Sequence, residues 1–470
     1  MKIGSSTASI PNPTPLLFLI TAAALLLWPD ASGTTALLVG AAIAVPIAVF
    51  WMSYSAVGAI IALIIGSAAP RLYVEIGGLK ARPEHVICGI LCISILFLRK
   101  KRSQPIPWIW PDYLLMAYAA LNLFSSLFMS IEPRQTLKWA LQQVLVIFAY
   151  FFLRVLVEDR SGLHKAVMAL LAVGAATVTY GIICFYSNLL FGTEFGMTIG
   201  QYGDTPAPYG LQYEANLLGS YSGALAVMML VIYLYDHRRR FLVGFALAFA
   251  GMAISLSRGA LGATFIGLSG VAVFSIKKKL LTRQLLAGIA KATFCALLVV
   301  LPAVVPQYAE RFNTMDIGEP AVDPNTLTRI VQVTSAFDEI TKHPFLGGGT
   351  SSFQLAFDWQ SLGEEWEEQG WIGNTEMRVL HDTGIVGLVM FAAFLVSLYR
   401  RSRKVLKIES NPELVALLAS ALVYCVSFQA TEGTLLAFSW VHLGLIGCAI
   451  SIFVASEKPY GNQALQGASG

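Results

Sequence analysis

The sequence is short of charged residues. Asp, Glu, Lys and Arg together make up 13% of its 470 residues, about half of the usual quarter in soluble domains. A folded chain of this composition could not cover itself with a polar shell in water. The 32 basic and 28 acidic residues give a formal net charge of +4, too balanced for a nucleic-acid surface, so we expect no nucleic-acid partner.

Cysteine is also scarce, and its placement excludes a common kind of metal site. The six cysteines all fall inside apolar runs, and no CxxC pair occurs; they are Cys88, Cys92, Cys184, Cys295, Cys425 and Cys448. Such cysteines pack as small hydrophobic side chains. No pair of carboxylates has the spacing of a metal site either, so the sequence predicts no metal and no cofactor.

Long apolar runs fill the chain instead. Hydrophobic residues make up 56% of the sequence before its 40 glycines are counted, and the mean hydropathy is +0.66. A bilayer-spanning helix needs about 20 apolar residues, and the composition predicts an all-α polytopic membrane protein with about fourteen transmembrane helices. The runs are 15–28, 35–51, 56–69, 86–98, 113–129, 139–156, 166–190, 213–235, 241–256, 260–276, 285–305, 377–399, 414–428 and 434–454.

Basic clusters predict the orientation of these helices. Lys and Arg residues gather after even-numbered runs, within 99–102, 160–165, 238–240, 277–283 and 400–407. These loops should be cytoplasmic, because Lys and Arg in short loops resist translocation. We therefore expect transmembrane helices 1–11 in residues 1–305 and an extracytoplasmic loop in residues 306–376. Helices 12–14 and a cytoplasmic tail should occupy residues 377–470.

The long loop has a helical pattern of its own. Residues 326–341 place Ile330, Val333, Phe337 and Ile340 on one helical face, and we expect this face to rest on the membrane domain. The acidic stretch 364–368 is interpreted as a solvated loop or helix face, with acceptor binding as the alternative.

Arginines on the expected outer side are the first functional candidates. Arg258 lies between two apolar runs with almost no loop, where an ionisable residue is functional by default; a snorkelling Arg at a tight turn is the alternative. Arg329 lies on the loop helix, and His343 precedes the glycines 347–349, whose amides can hold an anion. Two arginines and such a turn suit a diphosphate, which a guanidinium binds in bidentate fashion.

Further polar residues lie at the outer ends of the sixth and eighth runs. Gln212, Glu214 and Asn216 stand where the eighth run begins, and the first and last share a helical face. Helix capping explains Asn or Glu there equally well. Arg134, four residues before Lys138, has the same spacing and the same two interpretations.

Several of these residues together resemble a known family. The motifs are the Ser257-Arg258-Gly259 turn, Arg329, the sequence His343-Pro344-x-x-Gly347-x-Gly349, Asn374, the stretch from Asp382 to Gly387, and Asn216 to Gly219. They resemble the O-antigen ligase and polymerase superfamily over residues 80–450, with the diagnostic part at 258–387.

The resemblance implies a reaction and a place. Members transfer a glycan from undecaprenyl diphosphate, without metal or nucleotide, on the outer (periplasmic) face of the bacterial cytoplasmic (inner) membrane. The implied partners are that donor, a glycan or lipid-linked acceptor, membrane lipids, and a flippase with a chain-length regulator. The two arginines matching the family's, Arg258 and Arg329, are implied to hold the diphosphate. We expect substrate binding by Arg134, Gln212, Glu214, Asn216, His343, Asn374 and Arg378.

One departure bears on the choice within the family. The family's ligases carry a His directly before the Asn, where this chain has Gly373. His381 is then the nearest candidate to assist the acceptor hydroxyl, and a packed helix histidine is the alternative. We therefore expect an exopolysaccharide or O-antigen polymerase, with a ligase joining glycan to lipid A core as the alternative.

A lipid-linked glycan transporter or flippase is the alternative from another class. Transporters usually show internal repeats and polar residues near mid-membrane. No repeat is visible in this sequence, and Lys291 is the only charge near the middle of a predicted membrane helix. A structural scaffold is the third hypothesis, and such a protein would not need Arg258 and Arg329 together.

Overall fold

The computed structural model describes residues 55–76, 79–98, 107–198, 206–313, 324–356 and 372–457. The first two predicted runs and the acidic stretch 364–368 lie outside these residues. The described part is helical, with one short antiparallel hairpin of β1 (Val74–Ile76) and β2 (Leu79–Ala81). The helices are α1 Ala56–Ser67, α2 Pro83–Leu98, α3 Trp110–Phe128, α4 Pro133–Leu156, α5 Arg160–Phe191, α6 Ala215–Asp236, α7 Arg239–Ile254, α8 Arg258–Lys277, α9 Arg283–Asn313, α10 Pro324–Lys342, α11 Phe353–Ala356, α12 Thr375–Ile408, α13 Pro412–Ser427 and α14 Ala437–Glu457.

The remaining twelve predicted runs each coincide with a helix, so the all-α polytopic class is confirmed. Seven described helices are long and apolar enough to cross a membrane: α4, α5, α6, α8, α9, α12 and α14. Fourteen spans therefore stay a prediction. The eleventh run predicts a helix that ends at 305, but α9 continues to Asn313. It contains Pro302 and Pro306, which transmembrane helices tolerate because neighbouring groups satisfy the freed backbone carbonyls.

Helix α6 forms the centre of the bundle. Its apolar stretch is fully buried, and it packs against α5, α7, α8 and α13. Two glycines four residues apart let α8 approach closely: a Cβ on Gly219 would lie 2.9 Å from Ala260 Cβ, and one on Gly223 would lie 2.0 Å from Thr264 Oγ1. This packing fixes the start of α8 against α6.

The bundle has two chemically different ends. Helices α6, α8 and α12 begin at one end, which we call the site end, and finish near the basic clusters 238–240, 277–279 and 400–404 at the other, the basic end. Arg160 and Glu409 form an exposed ion pair at the basic end, with Nη1 and Oε1 2.6 Å apart. This pair joins the start of α5 to the end of α12.

A glycine interrupts α12 and receives the turn that follows α10. Gly384 has φ 65° and ψ −171°, a region that is essentially restricted to glycine. A Cβ there would lie 2.2 Å from the carbonyl carbon of Phe345. The backbone amides that lose their helical partners at the break bond to the turn instead. Ile385 N–H donates to Pro344 O at 2.9 Å, and Val386 N–H donates to Phe345 O at 3.3 Å. The loop helix is thereby attached to the membrane domain.

Helix α10 confirms the predicted loop helix but not its predicted packing face. Ile330, Val333 and Phe337 are exposed, whereas Gln332, Ala336 and Ile340 are buried. The small side chain of Ala336 permits close packing against a cluster with Phe353 and Ile372. The expectation that the larger apolar residues rest on the membrane domain is therefore wrong, except for Ile340.

Candidate active site

A buried ionic cluster lies at the site end, centred on Arg378 in α12. Its Nε lies 3.2 Å from Asp382 Oδ2, one turn further along the same helix, and its Nη1 lies 3.0 Å from Glu432 Oε1. Nη1 also donates to Thr434 Oγ1 at 3.2 Å, and Nη2 donates to Gln143 Oε1 on α4 at 3.0 Å. Every guanidinium nitrogen therefore has a protein partner, which makes Arg378 better placed to hold the site together than to contact substrate.

Glu432 is the residue in this cluster that sequence reasoning missed. It lies in the segment of residues 428–436 that joins α13 to α14, which we call the 428–436 segment. Its Oε1 accepts from the Thr434 hydroxyl and its Oε2 from Thr375 Oγ1 at 3.2 Å. The sequence does hold a signal for Glu432: it is a lone carboxylate in a short connection between two apolar runs, where a charge is costly without a partner.

The 428–436 segment also reaches the start of α6. The Thr431 hydroxyl donates to Glu214 Oε1 in a buried hydrogen bond. Glu214 occupies the N-cap position of α6, yet its side chain makes no capping hydrogen bond. Capping therefore does not explain this carboxylate, which instead connects α6 to the segment that carries Glu432.

Arg258 begins α8 at the same end of the bundle. The chain reverses between α7 and α8 in three residues, with Leu256 at φ 55° and Ser257 capping the helix through an Ala260 N–H donated to its Oγ at 3.3 Å. A Cβ on the next residue, Gly259, would lie 3.2 Å from the Ala430 side chain. Arg258 is exposed, so a cation and a helix N-terminus lie together beside the 428–436 segment.

The glycine turn does not present free amides. Gly348 N–H donates to His381 O at 2.8 Å, Gly349 N–H to Asp382 O at 3.1 Å, and Gly347 N–H to the carbonyl of His343 at 2.9 Å. The expectation of an anion-binding turn is therefore wrong. The Gly348 and Gly349 amides bond to α12 carbonyls because the turn packs at the break in α12, and the Gly347 amide closes the turn itself.

His381 lies directly beneath this turn. Its Nδ1 is 3.0 Å from Asp382 Oδ1, and its ring meets Phe353 edge to face at 5.6 Å. Only 3% of His381 is exposed, and a Cβ on Gly348 would lie 3.9 Å from its Cε1. In this structure the turn therefore separates His381 from solvent.

The other predicted residues are spread around the site end. Asn374 caps α12 by accepting from Met377 N–H at 2.9 Å and donates to Gln429 O at 3.1 Å. Gln212 is fully buried and donates to Ala68 O at 3.0 Å. Asn216 is half-buried in the first turn of α6, Arg134 and His343 are exposed, and Arg329 lies within α10.

Comparison with known families covers part of this site. Residues 243–392 match the family model described as O-antigen ligase. This stretch of the chain is similar to an O-antigen ligase domain. This confirms the resemblance to the O-antigen ligase and polymerase superfamily, and it supports a role as a ligase- or polymerase-type enzyme in polysaccharide assembly. No curated protein matches the chain.

The matched region covers only part of the site. Arg258, Arg329, Asn374 and His381 fall inside the matched residues. Glu214 and Glu432 fall outside them, although both make hydrogen bonds at the site end. The candidate site is thus completed by the start of α6 and by the 428–436 segment, from either side of the matched region.

Proposed function

We propose that this chain is a membrane glycosyltransferase that polymerises glycan repeats linked to undecaprenyl diphosphate. Its proposed place is the bacterial cytoplasmic (inner) membrane, with the site end facing the periplasm. The observation that carries the proposal is the exposed Arg258 at the start of α8, beside the 428–436 segment, within the region that matches the O-antigen ligase family. An ionisable residue at a membrane boundary marks a functional site by default.

The donor chemistry requires an anion site of this kind. As an acceptor hydroxyl attacks the anomeric carbon, the bond to the diphosphate breaks, and negative charge develops on the leaving group. Arg258 offers two N–H groups in a fixed fork, and the first turn of α8 adds its positive dipole end. Arg329, on α10, is the second proposed diphosphate ligand. The acceptor oxygen forms the new glycosidic bond, its proton passes to solvent, and undecaprenyl diphosphate leaves.

The acceptor side of the site involves Glu214 and Asn374. Both lie at helix starts that contact the 428–436 segment, and Gln212, Asn216, His343 and Arg134 lie at the same end of the bundle. Arg378 and His381 are buried, so we assign them positioning roles: they hold Asp382 and Glu432 in place. His381 would act as a base only if the glycine turn moved aside.

Gly373 favours polymerisation over ligation. Among the residues that the structure describes, a Cβ at this position would meet Gln332 Oε1 alone, at 3.6 Å, which is ordinary contact. Packing therefore does not force glycine here, and the absence of a ligase-type histidine is not a structural necessity. A ligase that joins glycan to lipid A core is the second candidate, favoured by the description of the matched family.

The products of a gene deletion distinguish the two candidates. A polymerase mutant should retain single repeat units on their acceptor, whereas a ligase mutant should accumulate long chains on undecaprenyl diphosphate. We expect single units, restored to long chains by the parental gene but not by Arg258→Ala at equal expression. Long lipid-linked chains in the deletion strain would overturn the choice of polymerase.

Labelling tests the proposed orientation separately. In a variant without native cysteines, a cysteine at exposed position 343 should react with a membrane-impermeant reagent in cells with a permeabilised outer membrane. A cysteine at exposed position 403, at the basic end, should react only after lysis. The reverse pattern would place the site end in the cytoplasm.

A further inference from the structure

A long cavity lies along α7. It has a volume of about 690 Å³ and lies between α5, α6, α7 and α9. Its lining runs along α7 from Arg239 to Ile254, which is about 22 Å at the rise of an α-helix. Most of the lining is apolar, including Leu242, Ala246 and Val299. A hydrocarbon chain fits a groove of this length and character.

Two cations line the half of the cavity toward the basic end. Arg239 is the first residue of α7, and Lys291 lies eight residues after the start of α9. The two helices meet between them, where a Cβ on Gly288 would lie 3.6 Å from Leu242 Cδ2 and 3.0 Å from Tyr233 OH. Arg239 lies one helical turn from this contact toward the basic end, and Lys291 lies one turn from it in the other direction. Both are long side chains, so both can reach the level of the contact from either side.

The charged residues that line the cavity, Arg239 and Lys291, are both basic. No Asp or Glu belongs to the cavity lining among the residues that the structure describes. A lysine in an apolar helix costs about 2.5–3.5 kcal/mol at mid-membrane, and such residues usually mark a ligand or a pathway. Lys291 plays no part in the proposed glycosyl transfer, whose site lies at the opposite end of the bundle. Its presence therefore calls for an anion at the basic end.

We propose that this groove binds one anionic phospholipid from the leaflet at the basic end. The phosphate lies between Lys291 and Arg239, and an acyl chain follows α7 toward Ile254. One leaflet of hydrocarbon is about 15 Å thick, so an acyl chain fits within the groove. The donor is not the proposed occupant, because its diphosphate belongs at Arg258, beyond the other end of α7. This inference goes beyond the proposed function, and only its exclusion of the donor rests on that function.

Lipid retention by the purified full-length chain tests the proposal. In nanodiscs of phosphatidylcholine containing a minor fraction of phosphatidylglycerol, we expect one phosphatidylglycerol retained per chain by native mass spectrometry. Each cation near an anionic headgroup contributes about fivefold to lipid affinity. Lys291→Ala and Arg239→Ala should therefore each weaken retention about fivefold. Lys278→Ala, which removes an exposed cation at the same end outside the cavity, should leave retention unchanged.

Thermal unfolding provides a readout that does not depend on mass spectrometry. Phosphatidylglycerol should raise the Tm of the parental chain and raise it less in Lys291→Leu. In pure phosphatidylcholine, Lys291→Leu should be at least as stable as the parent, since it removes an uncompensated charge. Equal retention of phosphatidylglycerol by the parent and the Lys291→Ala/Arg239→Ala double variant would overturn the proposal. Preferential retention of phosphatidylcholine or polyprenyl phosphate would also overturn it.

Discussion

Two buried arginines at opposite ends of the bundle have opposite kinds of surroundings. At the basic end, Arg154 of α4 binds both oxygens of Asp112, at 3.2 and 2.8 Å, and donates to the carbonyl of Gly447 at 3.1 Å. Tyr150 OH completes the pair by donating to Asp112 Oδ1 at 2.7 Å. One cation therefore meets one carboxylate in a closed, neutral unit that joins α3, α4 and α14.

The site-end cluster is not closed in this way. Arg378 meets two carboxylates, Asp382 and Glu432, and their remaining oxygens bond to His381 and to threonine hydroxyls. The cluster is also continuous with the 428–436 segment, which leads through Thr431 to Glu214. A buried ion pair alone is weak evidence for function. The site-end cluster differs from the Arg154 cluster in its second carboxylate and in its connection to an exposed surface.

Loss of either arginine should give the largest effect on stability. Arg154→Ala leaves Asp112 buried without its cation, and Arg378→Ala leaves two carboxylates in the same condition. Breaking a buried pair from one side costs about 3–5 kcal/mol. We expect both variants to lose that much in unfolding free energy, measured by denaturant titration in mixed micelles. A loss below 1 kcal/mol in either variant would show that its cluster is solvated.

The break in α12 should be almost as sensitive. Gly384→Ala introduces a Cβ 2.2 Å from the carbonyl carbon of Phe345, in a backbone region that costs other residues about 1–3 kcal/mol. Together with overpacking, we expect a loss of about 2–4 kcal/mol and release of the α10 turn. Gly262→Ala in α8 is the matched control, because no atom of the described part of the chain lies within 4 Å of its Cβ, and it should be neutral or stabilising. Equal effects of the two substitutions would contradict the docked turn.

Carboxylate-to-amide changes should separate structure from function. Glu432→Gln and Asp112→Asn each keep shape but lose a charge-assisted hydrogen bond, worth about 1.5–3 kcal/mol. We expect similar destabilisation, but only Glu432→Gln should lower polysaccharide yield per folded molecule, by more than tenfold. Yield is normalised to folded protein by fluorescence size-exclusion chromatography. An equal loss of yield in Asp112→Asn would mean that the two clusters do not differ in function.

The exposed pair at the basic end should matter least. Arg160 and Glu409 lie 2.6 Å apart, but their side chains are 59% and 32% exposed. Exposed pairs contribute about 0–1 kcal/mol, so Arg160→Ala should change unfolding free energy by less than 1 kcal/mol and leave polysaccharide yield unchanged. A larger loss of stability would mean that this contact joins α5 to α12 more strongly than its exposure indicates.

Sequence reasoning located the helices better than the site. Runs of apolar residues predicted each described membrane helix because hydropathy is a local property. The docking of the 343–349 turn into the break at Gly384 could not be predicted, since it joins residues about 40 positions apart through backbone hydrogen bonds. The packing face of α10 was predicted wrongly because amphipathicity shows only which side chains are apolar. It does not show that the small side chain of Ala336 lets the opposite part of the helix pack closely.

Some candidate site residues could be predicted from the sequence and others could not, because contacts between distant parts of the chain leave no local pattern. Arg258 was visible as a charge between two apolar runs, and the structure places it exposed at the start of α8. Glu432 was overlooked because its importance rests on Arg378, 54 positions earlier in the chain. Spacing along one helix can suggest that Arg378 and Asp382 meet, but no spacing rule brings the 428–436 segment to them.

The central claim is that Arg258 stabilises the diphosphate leaving group of a lipid-linked glycan. The direct measurement is single-turnover transfer by the purified chain in proteoliposomes, supplied with undecaprenyl-diphosphate-linked repeat units. We predict longer lipid-linked glycans with one undecaprenyl diphosphate released per bond formed. Arg258→Lys should slow this step about 10²–10³-fold, as loss of an oriented donor to a developing charge does, with unchanged Tm. Arg283→Lys, at the basic end, should transfer at the parental rate. Parental rates in Arg258→Lys would contradict the claim.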